Sequence, residues 1–107
     1  MPATATLDPI LHRVRAALDE LYGERIERVV LFGSRARGDA RRDSDYDLAV
    51  FLKGFGTFSV ELDPLIDMET DILLESGAVI NALPFPAGAY AERTGFMHEL
   101  RRDGLDL

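Results

Sequence analysis

The sequence predicts an α/β (α+β) protein with a short mixed sheet of about three strands flanked by helices. Two observations lead to this prediction. Three segments carry apolar residues at helical spacing, and three others are apolar, rich in β-branched and aromatic residues, and bounded by glycine or proline. Because the chain has 107 residues, a common domain size, we expect a single domain over residues 1–107.

The predicted helices lie at residues 8–22, 59–75 and 88–103. The first has one continuous apolar stripe. The second ends at Gly77, a residue type favoured just after a helix. The third has a weaker stripe and is interrupted by Gly95. The stripe of the second helix, which we expect to face the core, consists of Leu62, Leu65, Ile66, Met68, Ile72 and Leu73.

The predicted strands are "RIERVVLF" (residues 25–32), "YDLAVFL" (46–52) and "AVINALPF" (78–85). Pro84 and Pro86 are expected to stop the third strand, because proline has no N–H for the ladder. The connection between the first two strands is about a dozen residues long, which is more than a tight hairpin requires. This connection is therefore the unusual part of the chain.

The chain carries a formal net charge of −7. Non-specific binding of nucleic acids depends on a basic surface that neutralises phosphates, so we expect no direct nucleic-acid partner. The four arginines between residues 35 and 42 are thus a local positive cluster on an acidic protein.

Cysteine is absent from the sequence, which excludes disulfides, zinc–thiolate centres and cysteine nucleophiles. The two histidines, His12 and His98, are far apart and lack metal-ligand spacing. No apolar run approaches the roughly 18–20 residues of a membrane span. The N-terminal "MPATATLDPI" lacks the basic start and long apolar stretch of a signal peptide. We therefore expect a cytoplasmic protein with no membrane partner.

Asp45 and Asp47 are two residues apart where the second strand starts. Their side chains should point to one face of the sheet, with Cα atoms roughly 6.5–7 Å apart, and Tyr46 should point to the other face. Two carboxylates at this separation can converge on a divalent cation, and their oxygen chemistry suits Mg²⁺ or Mn²⁺.

At the other end of the connection, Gly33 and Ser34 directly follow the first strand and precede a short segment of helical composition. Glycine allows a ligand to approach the backbone, and a helix start presents unpaired N–H groups. Ser34 adds a hydroxyl donor. Four nearby guanidinium groups can bind phosphate in a bidentate manner: those of Arg35, Arg37, Arg41 and Arg42. A phosphate site beside a metal site would fit a nucleoside triphosphate. The alternative is a charged surface loop with internal Arg–Asp pairs.

The segments "GSRARG" and "DSDYDLAV" resemble the G-S-x-x-x-G and D-x-D elements of the DNA polymerase β-like nucleotidyltransferases, and the short chain resembles the minimal nucleotidyltransferase branch. This resemblance covers residues 33–50 and implies the small polymerase β-like fold. It implies that Gly33 and Ser34 hold the triphosphate of ATP or another NTP, with help from Arg35 or Arg37, and that Asp45 and Asp47 are the catalytic metal ligands. It also implies a HEPN-type RNase toxin as partner.

One position departs from this family pattern. The third carboxylate of the family comes from a later strand, and the equivalent position here is Asn81. An amide is a neutral, weaker ligand and cannot act as a base. Asp71 or Glu75 on the preceding helix could substitute, although acidic residues on a helix more often form a solvated face.

The resulting hypotheses differ in whether the protein must catalyse a reaction to act on its partner. The protein either transfers a nucleotide, with AMP favoured, to a hydroxyl of a partner protein, or is a weakened nucleotide-binding antitoxin that acts by complex formation. Transfer to a small molecule such as an aminoglycoside fits less well without a second domain, and nucleic-acid polymerisation fits least. The sequence leaves homo- or hetero-oligomer formation open.

Overall fold

The computed structural model describes residues 8–107. Residues 1–7, on which most of the signal-peptide prediction depends, lie outside this part. The helices are α1 Pro9–Tyr22, α2 Ser34–Arg37, α3 Phe58–Ser76 and α4 Gly95–Asp103, and short 3₁₀ turns cover Gly23–Arg25 and Ala89–Ala91. The strands are β1 Ile26–Phe32, β2 Tyr46–Leu52, β3 Ile80–Pro86 and β4 Leu105–Asp106.

The strands form one mixed sheet in the order β3-β2-β1-β4. β2 pairs antiparallel with β1 and parallel with β3, and β4 pairs antiparallel with β1. The predicted fold class is therefore confirmed, with four strands instead of about three. The additional strand, β4, contains two residues that pair with Val30 and Leu31, a contact that depends on tertiary packing and has no local pattern.

The sheet has a different core on each face. On one face, α1 and α3 pack against alternate strand residues, among them Leu31, Leu48 and Val50. On the other face, α4 packs against Val30 and Phe51. The second core is rich in aromatic contacts, because rings from β1, β2, β3, the 3₁₀ turn Ala89–Ala91 and α4 touch one another: Phe32, Phe51, Phe85, Tyr90 and Phe96. Side chains of β2 with odd numbers lie on this second face.

Two helix predictions need correction. α4 begins at Gly95 and not at residue 88, because the side chain of Thr94 accepts from the backbone N–H of Met97 and caps the helix there. In α3, the core stripe is narrower than predicted. Leu65, Met68 and Ile72 are buried, whereas Ile66 and Leu73 are each 45% exposed.

β3 continues through both prolines that were expected to stop it. It forms an edge of the sheet, and the even-numbered residues of β3 turn their backbone away from β2. Pro84 and Pro86 fit there because no ladder N–H is required on that side. The outward N–H of Ala82 donates to the carboxylate of Glu69 on α3 at 2.9 Å.

Within residues 8–107, no helix has the length and apolar character needed to cross a bilayer.

Candidate active site

The predicted acidic residues lie on the sheet face that carries α4. β2 alternates strictly, so Tyr46 and Leu48 belong to the opposite core while Asp47 faces the α4 side. Asp47 pairs in register with Phe32 of β1 and with Asn81 of β3. The three side chains therefore form a row across three strands, with the aspartate in its centre.

Asn81 connects the two aspartates. Its Nδ2 donates to Oδ2 of Asp45 at 3.0 Å and to Oδ1 of Asp47 at 3.3 Å. The two carboxylates thus converge on one point, which is the arrangement that an oxygen-liganded divalent cation requires. Across residues 8–107, however, no group of three or more His, Cys, Asp or Glu side chains is arranged to hold a metal ion. The donor set at this point consists of two carboxylates and one amide.

Gly33 brings the backbone of the first strand close to Asp47. A Cβ atom at residue 33 would lie 2.5 Å from Oδ2 of Asp47, and the backbone has φ +75°, a region that side chains rarely adopt. Glycine is therefore required for two separate reasons at this position. The close approach places the start of α2 beside the aspartate.

α2 begins directly after Gly33 and contains Ser34, Arg35, Ala36 and Arg37. The backbone N–H groups of Ala36 and Arg37 both donate to the carbonyl of Gly33 at 3.1 Å. Ser34 and its N–H lie at the first position of the helix, where no partner within the helix exists. Arg37 is exposed, its guanidinium contacts Asp39 at 3.5 Å, and its charge helps to lower the pKa of Asp103; neither carboxylate buries it, so it is accessible to a phosphate.

Arg35 has a different position from the one expected of a phosphate ligand. Its guanidinium donates to the backbone carbonyl of Ser44 at 2.7 and 3.0 Å and to that of Arg42 at 3.2 Å. It also stacks on the ring of Tyr46 at 3.8 Å. In this structure the contacts of Arg35 stabilise the loop that ends at Asp45.

Tyr46, on which Arg35 stacks, connects this loop to the start of α1. Its hydroxyl donates to Oδ2 of Asp8 at 2.8 Å, and the same aspartate caps α1 by accepting from the N–H of Ile10. Burial of the ring, followed by the hydrogen bond to Asp8, raises the pKa of Tyr46 to about 12. The hydroxyl therefore remains protonated, and it remains a donor to Asp8, throughout the physiological pH range. Sequence patterns identified the ring of Tyr46 as a core residue but gave no sign of this link.

The two carboxylates considered as substitutes for a third acidic ligand do not lie beside Asp45 and Asp47. Asp71 and Glu75 belong to α3, which packs on the sheet face opposite the row of Asp47 and Asn81. Glu75 pairs with Arg13 of α1 at 2.9 Å, and this cation lowers the pKa of Glu75. Asp71 lines a groove between α1 and α3. Neither residue is positioned to supply the third carboxylate that the family resemblance led us to expect.

Comparison with known proteins identifies the family of this chain. Residues 11–89 match the nucleotidyltransferase domain family, a range that includes both glycine–serine and aspartate elements. The chain belongs to the nucleotidyltransferase domain family. The predicted recognition of a nucleotidyltransferase from residues 33–50 is thus confirmed.

Two curated relatives of this nucleotidyltransferase domain are archaeal. The "Putative protein adenylyltransferase MJ0604" of Methanocaldococcus jannaschii is 42% identical over 67 residues, which are 63% of this chain and 61% of the relative. The chain thus spans less than two thirds of that relative. The "Putative protein adenylyltransferase MJ0141" of the same organism is 24% identical over 92% of this chain and 95% of its own length.

Two solved structures share the fold of this nucleotidyltransferase domain. A crystal structure of a toxin–antitoxin with AMP-PNP has a TM-score of 0.65 at 15% identity and covers 89% of this chain and 69% of its own. A "putative nucleotidyltransferase" from Sulfolobus solfataricus has a TM-score of 0.55 at 22% identity, with coverage of 89% and 72%. At these identities the likeness concerns the fold.

Proposed function

We propose that this nucleotidyltransferase transfers AMP from ATP to a hydroxyl of a partner protein, with Mg²⁺ or Mn²⁺ as cofactor. One observation carries the proposal: the carboxylates of Asp45 and Asp47 converge within hydrogen-bond distance of one amide nitrogen, next to the Gly33–Ser34 turn. The names of the two archaeal relatives support a protein as the acceptor.

The chain's own residues would divide the work in three parts. Asp45 and Asp47 would hold the cation, which supplies Lewis-acid stabilisation of charge on the attacking and leaving oxygens. The N–H groups at the start of α2 and the Ser34 hydroxyl would bind the phosphates. Arg37 would add a charged donor from the exposed side. In the reaction the acceptor oxygen would bond to the α-phosphorus, the bond from the α-phosphorus to the oxygen that bridges to the β-phosphate would break, and pyrophosphate would leave. The proton of the acceptor hydroxyl would pass to water, because the amide of Asn81 is not a base.

The proposed partner is a HEPN-type RNase toxin, with this chain as its antitoxin. The resemblance to minimal nucleotidyltransferases motivates this partner, and the fold shared with a toxin–antitoxin structure containing AMP-PNP supports it. An acidic chain with a net charge of −7 is suited to a protein acceptor more than to direct contact with a nucleic acid.

Label transfer tests the enzymatic proposal. Purified protein, Mg²⁺ and α-labelled ATP are incubated with a lysate of the cells that produce the protein, alongside the Asp47→Asn variant. We expect a labelled protein band that requires Asp47 and that identifies the acceptor. If none of the four NTPs labels a protein while the chain still captures a partner, the transferase proposal is wrong.

A second function is favoured by Asn81 alone. Because an amide stands where the family has a third carboxylate, the site could bind nucleotide without turnover, and the chain would neutralise its partner by complex formation. Asp47→Asn distinguishes the two functions: it abolishes neutralisation if chemistry is required and preserves it if binding suffices. The melting curve of the variant must match that of the wild type for either result to count.

A further inference from the structure

Asn81 occupies a central position between the two aspartates. It lies beside Asp47 in the parallel β2–β3 register, and its amide nitrogen is 3.0 Å from Asp45 Oδ2 and 3.3 Å from Asp47 Oδ1. A side-chain amide has two N–H bonds, so it can donate one to each carboxylate. The nitrogen therefore lies at the point on which both acids converge.

This arrangement offsets the repulsion between the two acids. Two negatively charged carboxylates that share a site repel each other. The partial positive charge of the amide N–H groups reduces this effect, whereas an aspartate at residue 81 would add a third negative charge. We therefore expect Asn81 to stabilise the protein when no cation is bound.

The geometry points to a specific role for Asn81 as an internal stand-in for the cation. Its amide group competes with a divalent ion for the same two carboxylate oxygens, so that ion binding requires the amide to give up both hydrogen bonds. This inference rests on the proposed metal function of Asp45 and Asp47. It deepens that function by making the strength of cation binding a property set by residue 81.

The test compares wild type with Asn81→Asp and Asn81→Ala at pH 7.5. Mn²⁺ affinity is measured by calorimetry or by the electron paramagnetic resonance of the free ion, and melting temperature is measured in chelator. Asp45→Asn serves as the control that lacks one ligand. The alanine variant guards against a fold defect caused by the extra charge, and circular dichroism verifies the fold of each protein.

Both variants should melt lower than wild type without metal, by about 4–8 °C. Asn81→Asp should bind Mn²⁺ about tenfold more tightly or better, because affinity rises with ligand charge. Asn81→Ala should bind at least as tightly as wild type, since no amide has to be displaced.

The contrary results are distinct from one another. Weaker Mn²⁺ binding by Asn81→Ala would show that the amide is a ligand and not a competitor. An unchanged melting temperature of both metal-free variants would show that the hydrogen bonds of Asn81 do not stabilise the protein. Either result overturns the inference while the metal function stands. Absence of Mn²⁺ binding to wild type and both variants would overturn the metal function and, with it, the competition.

Discussion

A Cβ atom on Gly33 would lie 2.5 Å from Oδ2 of Asp47. The end of β1 and the start of β2 are therefore in direct contact at the proposed metal site, and no other residue type can occupy position 33 without moving the aspartate. The same backbone proximity brings the start of α2, with Ser34, to the site. The proposed phosphate and metal functions would thus be linked through one glycine.

Gly33→Ala should lose both stability and cation binding. Its backbone, with φ 75° and ψ −156°, lies in a region nearly restricted to glycine, so strain of about 1–3 kcal/mol is expected, and the clash should displace Asp47. Gly38→Ala is the matched control, because Gly38 also has positive φ but no atom within 4 Å of its Cβ position. Urea denaturation and Mn²⁺ titration measure the two effects.

The control variant should lose about 1 kcal/mol of stability from the left-handed backbone and bind Mn²⁺ as the wild type does. Equal Mn²⁺ affinity for Gly33→Ala and Gly38→Ala would show that the close approach to Asp47 has no bearing on the site.

Arg35 and Arg37 should separate into a structural and a binding role. Arg35→Ala removes three hydrogen bonds to loop carbonyls and the stacking on Tyr46, so it should lower the free energy of unfolding by about 2 kcal/mol. Arg37→Ala should change stability by less than about 0.5 kcal/mol, because the side chain is exposed. Its ATP affinity should fall by about tenfold through loss of a charged phosphate donor.

Denaturation curves and ATP titrations on both variants check this separation. A large loss of stability in Arg37→Ala, or unchanged stability in Arg35→Ala, would contradict the assignment of the two arginines.

Glu69 should make stability depend on pH. Partial burial raises the pKa of this carboxyl, and the N–H of Ala82 opposes the shift. Since the folded pKa lies above the unfolded one, the associated stability is fully present below the unfolded pKa and is lost as pH rises through the folded pKa. Glu69→Gln keeps an acceptor for Ala82 without a charge, so its stability relative to wild type should increase from pH 4 to pH 7.

Glu69→Ala is the control for the hydrogen bond itself. It leaves the buried N–H of Ala82 without its acceptor and should lose about 1–2 kcal/mol at both pH values. The comparison uses urea denaturation at pH 4 and pH 7. A constant difference between wild type and Glu69→Gln across this range would refute the predicted linkage.

The central strands, and the position of Asp45 and Asp47 on one face of the sheet, could be predicted because their sequence signals are local. The apolar run of residues 46–52 coincides with β2, and alternation along that strand correctly assigned Tyr46 to the core. The short helix after Gly33 was also expected from composition. These features depend on the two-residue period of a strand and on the positions of glycine, and both can be read from the sequence.

Other features depend on contacts distant in sequence. β4 exists because Leu105 meets Leu31, and the two residues have no strand pattern of their own. The sequence does not show which acceptor a guanidinium group will bind, so the hydrogen bonds from Arg35 to the carbonyl of Ser44 were not predicted. The start of α4 had a readable signal in Thr94, a good capping residue, but the apolar residue Tyr90 extended the predicted helix too far.

The outer edge of β3 limits how this protein can associate with others. A strand from another molecule that aligned there would meet Pro84 and Pro86, which cannot donate, and Ala82, whose N–H already binds Glu69. The opposite border of the sheet is β4, which is only two residues long. Lateral growth into an intermolecular sheet is therefore disfavoured along β3 and along β4, and at these two strands recognition of a partner protein falls to side chains.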